Sequence, residues 1–508
     1  MANMRSDCFS YLVSALVFTL AIPYAGSSQS LFTLIPAKQS GINFKNRIVE
    51  SADQNVLTYE YFYNGGGVAV GDLNNDGLPD IVFISNIEQP KIYLNKGHFT
   101  FQDISRSSNV EAEGWKTGVT LVDINGDGWL DIYICRSGNG DMDNRKNLLF
   151  INQHDGTFKE EAAKYGIDDT GNSTQAVFFD YDHDGDLDLF LLRHSIKRLK
   201  NYDVAYMKTA HDPLGGDRLY RNDGGHFTNV TDSAGIISNP ICFGLGVAVA
   251  DFNGDGWDDL YVTNDYDEDD YLYINQHDGT FKESLKEFMG HTSKYSMGCD
   301  VADINNDGLP DLLTLDMLPE SNKRQKMLKG PDGYDHFQNL IDHGYYYQYM
   351  RNMLHLGGNY GGRIRYSEIG QLAGISNTDW SWSALFADFD LDGNQDLFIT
   401  NGYMRDYTNM DFLKYTVPSE VQKARDAGQQ PDLYSMVLKM PSSQVRSYLF
   451  RNKGDLSFEN VTKQWGMDLP SLSNGAAYGD FDNDGDWDLV VNNINQPAFI
   501  WQNHAEDL

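Results

Sequence analysis

Asp123-Ile124-Asn125-Gly126-Asp127-Gly128-Trp129-Leu130-Asp131 is the stretch on which the reading of this chain turns. It follows the pattern D-x-[DN]-x-D-G-x-x-D. The same pattern begins at Asp72, Asp180, Asp251, Asp303, Asp388 and Asp480, making seven copies in 508 residues. All seven keep acid at positions 1, 5 and 9 and glycine at position 6. A single such stretch could be a solvated acidic turn. Seven copies with the same four positions fixed call for a shared chemical reason.

Calcium supplies one. It is a hard cation that takes six to eight oxygen ligands. Alternate residues of a tight loop aim oxygens at a common centre, and a glycine permits the sharp turn. Positions 1, 3, 5 and 9 are read as side-chain ligands and position 7 as a backbone carbonyl. The expected ligand sets are Asp72, Asn74, Asp76, Leu78 and Asp80; Asp123, Asn125, Asp127, Trp129 and Asp131; and Asp180, Asp182, Asp184, Asp186 and Asp188. They continue with Asp251, Asn253, Asp255, Trp257 and Asp259; Asp303, Asn305, Asp307, Leu309 and Asp311; Asp388, Asp390, Asp392, Asn394 and Asp396; and Asp480, Asp482, Asp484, Asp486 and Asp488. Up to seven ions are implied. The first six positions resemble the start of an EF-hand loop, but the distal glutamate and the flanking helices of that motif are missing.

The flanks read as strands instead. Val68-Ala69-Val70 and Val247-Ala248-Val249 precede loops; Ile81-Val82-Phe83-Ile84, Leu189-Phe190-Leu191-Leu192 and Leu489-Val490-Val491 follow them. Short apolar runs bounded by turn residues are buried strands. A third strand ends in Asn, as in Tyr93-Leu94-Asn95 and Phe450-Arg451-Asn452, with Leu354-His355-Leu356 as the departure in the fifth repeat. An aromatic-led fourth strand follows, as in Phe101-Gln102-Asp103 and Tyr366-Ser367-Glu368. The unit is A-loop-B-C-D, and four-stranded units repeated radially make a β-propeller. The seventh unit stops after its third strand. Leu31-Phe32-Thr33-Leu34 supplies the missing fourth, so the N-terminal strand is expected to close the ring and remove its exposed edges.

These loops and flanks resemble the FG-GAP/VCBS repeats, the calcium-loop blades also seen in integrin α-subunit propellers. Tyr61-Phe62-Tyr63-Asn64-Gly65-Gly66-Gly67, Thr378-Asp379-Trp380-Ser381-Trp382 and Ile399-Thr400-Asn401-Gly402-Tyr403 are similar to bacterial secreted proteins related to cartilage acidic protein. The resemblance implies an all-β, seven-bladed propeller with calcium-binding A-B loops over about residues 29–508. It also implies a C-terminal module of the ASPIC/UnbV type, which this chain lacks; a short form and a truncated reading frame both fit.

Residues 1–28 read as a secretory signal, with Arg5 before the apolar run Phe9–Ile22 and small residues Ala25-Gly26-Ser27 at the cut. The expected site of action is periplasmic, cell-surface or extracellular, with no membrane span in the mature chain. Beyond Cys8, the chain has Cys135, Cys242 and Cys299. Either Cys242 pairs with Cys299 or all three stay as buried thiols.

The net charge is -34, with 73 acidic against 39 basic side chains. That excludes a nucleic-acid partner, which needs a basic footprint. The seven loops hold 24 of the acidic side chains at positions 1, 3, 5 and 9. Most of the charge therefore concerns metal rather than partners.

Loop-to-loop spacing is uneven: 51, 57, 71, 52, 85 and 92 residues. The excess falls after B strands, at about 193–217, 314–350 and 401–446, with a short helix expected at Glu420–Ala427. In up-and-down blades these insertions crowd the face opposite the acidic loops. They carry Arg193, His194, Tyr345, Tyr346, Tyr347, Arg351, Tyr403, Arg405 and Asp406, and Trp115, Trp380 and Trp382 arrive at the same face. Such side chains suit a sugar ring or a peptide. Equally, the tryptophans pack between blades and the tyrosines cover the mouth of the ring. The leading expectation is a binding, adhesion or scaffolding module for a glycan or protein at the cell envelope or outside the cell. The alternative is a polysaccharide-active lyase or hydrolase, although H-E-x-x-H, G-x-S-x-G and Walker motifs are all missing.

Overall fold

The computed structural model describes residues 30–195, 203–330 and 333–507. The expected signal, residues 1–28, lies outside them. The described chain forms seven four-stranded antiparallel sheets. Their innermost strands are Val68–Gly71, Trp115–Val122, Ser173–Phe179, Gly244–Ala250, Cys299–Ala302, Ser381–Ala387 and Ser473–Gly479. Each innermost strand packs beside the next around a central channel, and Ser473–Gly479 returns to Val68–Gly71. The fold is therefore a closed seven-bladed propeller. Closure is made by Phe32–Leu34, which pairs with Phe499–Asn503 as the fourth strand of the last blade.

The second strands carry the burial. Asp80–Phe83, Asp131–Ser137, Asp188–Arg193 and their counterparts are buried at every residue. Their near-continuous apolar runs follow from having a neighbouring blade on both faces. The blades approach so closely at the channel that only glycine fits in places. A Cβ on Gly298 would lie 1.9 Å from the Trp382 carbonyl oxygen, and one on Gly118 would lie 2.5 Å from that of Thr174.

One side-chain clasp recurs between blades. The Asn ending a third strand donates its Nδ2 proton to the position-2 carbonyl of the preceding blade's loop. Asn95 reaches Phe481 at 2.8 Å, Asn152 reaches Leu73 at 2.8 Å and Asn275 reaches Tyr181 at 2.8 Å. Asn452 and Asn503 do the same to Ile304 and Phe389. The fifth blade explains its odd sequence here. Leu312 pairs with His355, so His355-Leu356-Gly357 occupies the place of Tyr93-Leu94-Asn95. The register is one residue later than Leu354-His355-Leu356 suggested. Gly357 has no side-chain amide, and the Tyr366 hydroxyl takes over, donating to Phe252 O at 3.1 Å.

The long connection from the closing strand to the first blade crosses the channel mouth opposite the acidic loops. Tyr59 meets Ser137 Oγ at 2.8 Å and His194 Nε2 at 3.1 Å. Tyr61 donates to Asp265 Oδ2 at 3.0 Å, and Tyr63 donates to Glu50. These tyrosines are 6% exposed or less. They tie the plug to several blades at once.

The insertions supply most of the helix. Asn322–Met327 and Tyr334–Asp342 lie in the fifth blade's insertion, and Val417–Asp426 and Leu433–Leu438 in the sixth. Cys135, Cys242 and Cys299 are free thiols, so the pairing of Cys242 with Cys299 does not occur. No helix among the described residues is long and apolar enough to cross a membrane.

Candidate functional site

All seven acidic loops share one hydrogen-bond scheme. The first aspartate accepts from two backbone N–H groups. Asp123 Oδ1 takes that of Asp127 at 3.0 Å, and Oδ2 takes that of Gly128 at 2.8 Å. The position-5 carboxylate accepts the position-7 N–H, as in Trp129 to Asp127 at 3.0 Å. Position 9 is fully buried in every loop. It accepts from the position-2 N–H and from the N–H that ends the third strand, as Asp80 does from Leu73 at 2.9 Å and Asn95 at 2.7 Å. Glycine at position 6 has positive φ, 85° at Gly77 and 99° at Gly485. Position 4 is left-handed too, and there the loops tolerate His183 and Leu391 at 58° and 56°.

The electrostatics of these loops ask for a cation. Burial first, and then the neighbouring carboxylates, push position 9 up, to about 7 at Asp80 and about 9 at Asp488. In loops three, six and seven, oxygens of positions 1, 3 and 9 lie within 4.8 Å of one another: Asp180, Asp182 and Asp188; Asp388, Asp390 and Asp396; Asp480, Asp482 and Asp488. Asp182 Oδ1, Asp390 Oδ1 and Asp482 Oδ1 are buried without a hydrogen-bond partner. Buried carboxylate oxygens with no donor are costly unless a cation meets them. These three sites fit a hard, oxygen-seeking divalent ion.

The seven loops fall into two kinds. Where position 3 is Asp, the third strand carries a polar residue beside it: Arg221, Arg451 or Gln502. Where it is Asn, the same place holds Leu94, Ile151, Ile274 or Leu356. Arg451 Nε lies 2.6 Å from Asp390 Oδ2, and Gln502 donates to Asp482 Oδ2 at 3.0 Å. In the sixth blade an internal cation thus shares the carboxylates.

Two loop residues escaped the sequence reading. His154 and His277 reach back from the C-D turns to Asp127 Oδ2 at 3.1 Å and Asp255 Oδ2 at 2.9 Å. Each stacks on the position-7 tryptophan, Trp129 at 4.7 Å and Trp257 at 4.6 Å. The signal was the identical run I-N-Q-H-D-G-T-F-K-E at 151–160 and 274–283. His183, which is exposed, stacks on Trp257 of the neighbouring loop at 3.8 Å.

On the opposite face, most of the expected ligand-binding residues turn inward. Arg193 is buried against Asp169 at 3.1 Å, and His194 supports the plug. Trp380 and Tyr403 are buried and stack on each other at 3.9 Å. Trp115 opens the strand Trp115–Val122 and stacks on Phe62 at 4.9 Å. Trp382 is half-buried and donates to Gly402 O at 2.6 Å. Tyr345 is buried and donates to Val204 O at 3.1 Å. Arg405 and Arg351 are half-buried in ion pairs with Glu50 and Glu368, and Asp406 is buried against Arg324. Tyr346 is half-buried and Tyr347 exposed. Much of the aromatic character of these insertions is thus internal packing; Tyr334, Tyr347 and Tyr349 remain exposed in the fifth blade's insertion, and Tyr206 and Tyr415 in the third and sixth.

The FG-GAP-like repeat profile matches residues 58–134, 137–191, 203–262, 251–314 and 429–491, more than half of the chain. The chain belongs to the FG-GAP-like repeat family. Among curated proteins, cartilage acidic protein 1 of Xenopus tropicalis is 28% identical over 47% of this chain and 35% of its own length. The human protein of that name is 28% identical over 40% of this chain and 28% of its own length. The match therefore spans about a third of these relatives.

Among solved structures, an Agrocybe aegerita lectin recognising non-reducing terminal N-acetylglucosamine aligns with TM-score 0.40 at 15% identity, covering 80% of this chain and 84% of that one. A Bacillus licheniformis rhamnogalacturonan lyase aligns with TM-score 0.40 at 13% identity, over 87% and 72%. A Vibrio cholerae biofilm matrix protein aligns with TM-score 0.32 at 12% identity, over 86% and 76%. At that level of similarity these proteins carry no argument about what this chain binds.

Proposed function

We propose that this FG-GAP repeat chain is an exported, calcium-stabilised propeller that binds a glycan or protein partner through the face opposite its acidic loops. The observation that carries the reading is the division of the molecule. One face repeats a single cation-seeking loop seven times, with buried, partnerless oxygens at Asp182, Asp390 and Asp482. The other face is irregular and holds the insertions with their exposed aromatic side chains, among them Tyr334, Tyr347 and Tyr349. Repetition suits a structural metal, and irregularity suits recognition.

In this reading positions 1, 3, 5 and 9 hold the ions and position 7 offers its carbonyl. Bound calcium supplies charge neutralisation that locks each loop. The chain's own residues orient the carboxylates through backbone N–H groups. The sequence of residues 1–28 supports export, to the periplasm, the cell surface or beyond; N-terminal sequencing of the exported product tests it.

The enzyme alternative would need carboxylates within reach of a substrate. Burial lifts Glu268 and Asp270 to about 7 and Asp316 to about 6 on the insertion side. All three are 2% exposed or less and hydrogen-bonded within the fold. That arrangement speaks for structural roles. The deciding experiment is glycan-array binding and envelope-protein capture run beside a polysaccharide-cleavage assay. Saturable binding without cleavage is expected. Multiple turnovers of depolymerisation would replace the binding reading with the enzymatic one.

A further inference from the structure

We infer that the fifth blade's insertion contains the glycan subsite: a pocket for a single neutral pyranose ring, walled by Tyr334, Phe337, Tyr346 and Tyr349 and floored by Lys294 and His336. The inference rests on the binding reading above and gives it an address.

The pocket is about 240 Å³. Pockets for drug-sized ligands span roughly 300–1,000 Å³, so this smaller volume suits one ring rather than an extended ligand. Its walls come from the helix Tyr334–Asp342 and the strand Gln348–Tyr349, which is held parallel to Thr292–Ser293. Phe337 and Tyr349 lie 6.2 Å apart with their planes at 31°. Tyr334 is 73% exposed and Tyr349 41%. Large aromatic side chains gathered around a cavity while still open to solvent are unusual for packing alone. Their flat apolar faces match the C–H face of a pyranose.

The floor is polar and organised. Asp267 Oδ1 accepts from Lys294 Nζ at 2.6 Å and meets His336 Nε2 at 3.1 Å. Lys294 also donates to Gln348 Oε1 at 3.4 Å, and Gln348 is fixed by its bond to Glu268 O at 2.7 Å. An apolar guest would strip water from these groups without replacing it, at a cost. A sugar's hydroxyls both donate and accept, so they satisfy such a floor. The Asp267 carboxylate on this floor repels a uronate and so favours a neutral ring.

The walls are also held before any ligand arrives. The Arg351 guanidinium sits 5.4 Å from the Tyr349 ring centre, and the His291 ring sits 5.3 Å from it at 77°. Arg351 is anchored by Glu368 at 3.0 Å. Burial alone would raise Glu368, yet hydrogen bonds from His291 and Arg351 hold it down to about 2. Tyr349 is therefore pinned by an ionised cluster, which lowers the ordering cost of binding.

The test uses the full chain with calcium. Glycan-array screening identifies a bound oligosaccharide, and calorimetry with it compares the wild type with Tyr334→Ala and Tyr349→Ala. Each variant's melting curve serves as the folding control. A tenfold or greater loss of affinity in both variants, with melting preserved, is expected. Equal affinity in the variants overturns this site and leaves glycan binding elsewhere standing. A wild type that binds no glycan at millimolar concentration overturns the glycan reading and the site together. Selective binding of uronate oligosaccharides, or of a peptide in the same pocket, overturns the neutral-sugar assignment.

Discussion

At the scale of single residues, His355 is the informative exception. Six blades place Tyr93, Phe150, Tyr220, Tyr273, Phe450 or Trp501 where the fifth has His355. The imidazole is fully buried and neither ring nitrogen has a partner. Burial holds it down to about 4, and His194 likewise. A histidine whose folded value lies below its unfolded value of about 6.5 binds protons more readily when unfolded. Its contribution is intact above pH 6.5 and is lost as pH falls towards 4, by about 1.4 kcal/mol per pH unit for each group. Replacing His355 with Phe restores the aromatic and removes two unpaired polar atoms. We expect about 1 kcal/mol of added stability and a shallower loss between pH 6.5 and 4, measured by denaturant melts across that range. A less stable variant with an unchanged acid slope would count against this account of the site. None of this was readable from periodicity, because the one-residue register difference that brings His355 into the aromatic place is decided by pairing with Leu312.

At the scale of elements, each blade is a repeat whose departures have local compensations. Gly357 removes the amide that clasps other blades, and a Cβ there would lie 2.9 Å from Pro310 O. Tyr366 restores the bond to the preceding blade. Tyr366→Phe should therefore cost about 1 kcal/mol, visible as a lower denaturant midpoint. The reverse change, Phe281→Tyr, should gain nothing, since Asn275 already occupies the matching carbonyl of Tyr181. An equal response in the two blades would contradict the clasp. The loops, strands and blade number were legible because their chemistry is local: ligand spacing, a left-handed glycine and short apolar runs. The insertions were not. Their tyrosines and tryptophans look alike in sequence whether they pack or face solvent, and only tertiary contacts separate buried Trp380 and Tyr403 from exposed Tyr334 and Tyr349.

At the scale of the whole molecule, ring closure joins the two ends of the described chain. Phe32–Leu34 is three residues long, yet it covers the edge of Phe499–Asn503. It also sets Phe32 into the core shared by the sixth and seventh blades, 5.8 Å from Phe389. Deleting residues 30–35 should leave an unpaired strand edge. Light scattering is expected to show self-association, together with a lower melting temperature. A truncated chain that stays monomeric with unchanged melting would show that closure does not depend on this strand.

The central claim is that calcium in the repeated loops stabilises the ring. Ligand that binds only the folded state adds about 2.7 kcal/mol per site at a hundredfold excess over its dissociation constant. The most direct measurement is the melting temperature of calcium-loaded chain before and after excess chelator, with calcium restored as the control. The account predicts a fall of at least several degrees, on the order expected from that stabilisation, which calcium reverses and magnesium at the same concentration does not. An identical melt in chelator would contradict it.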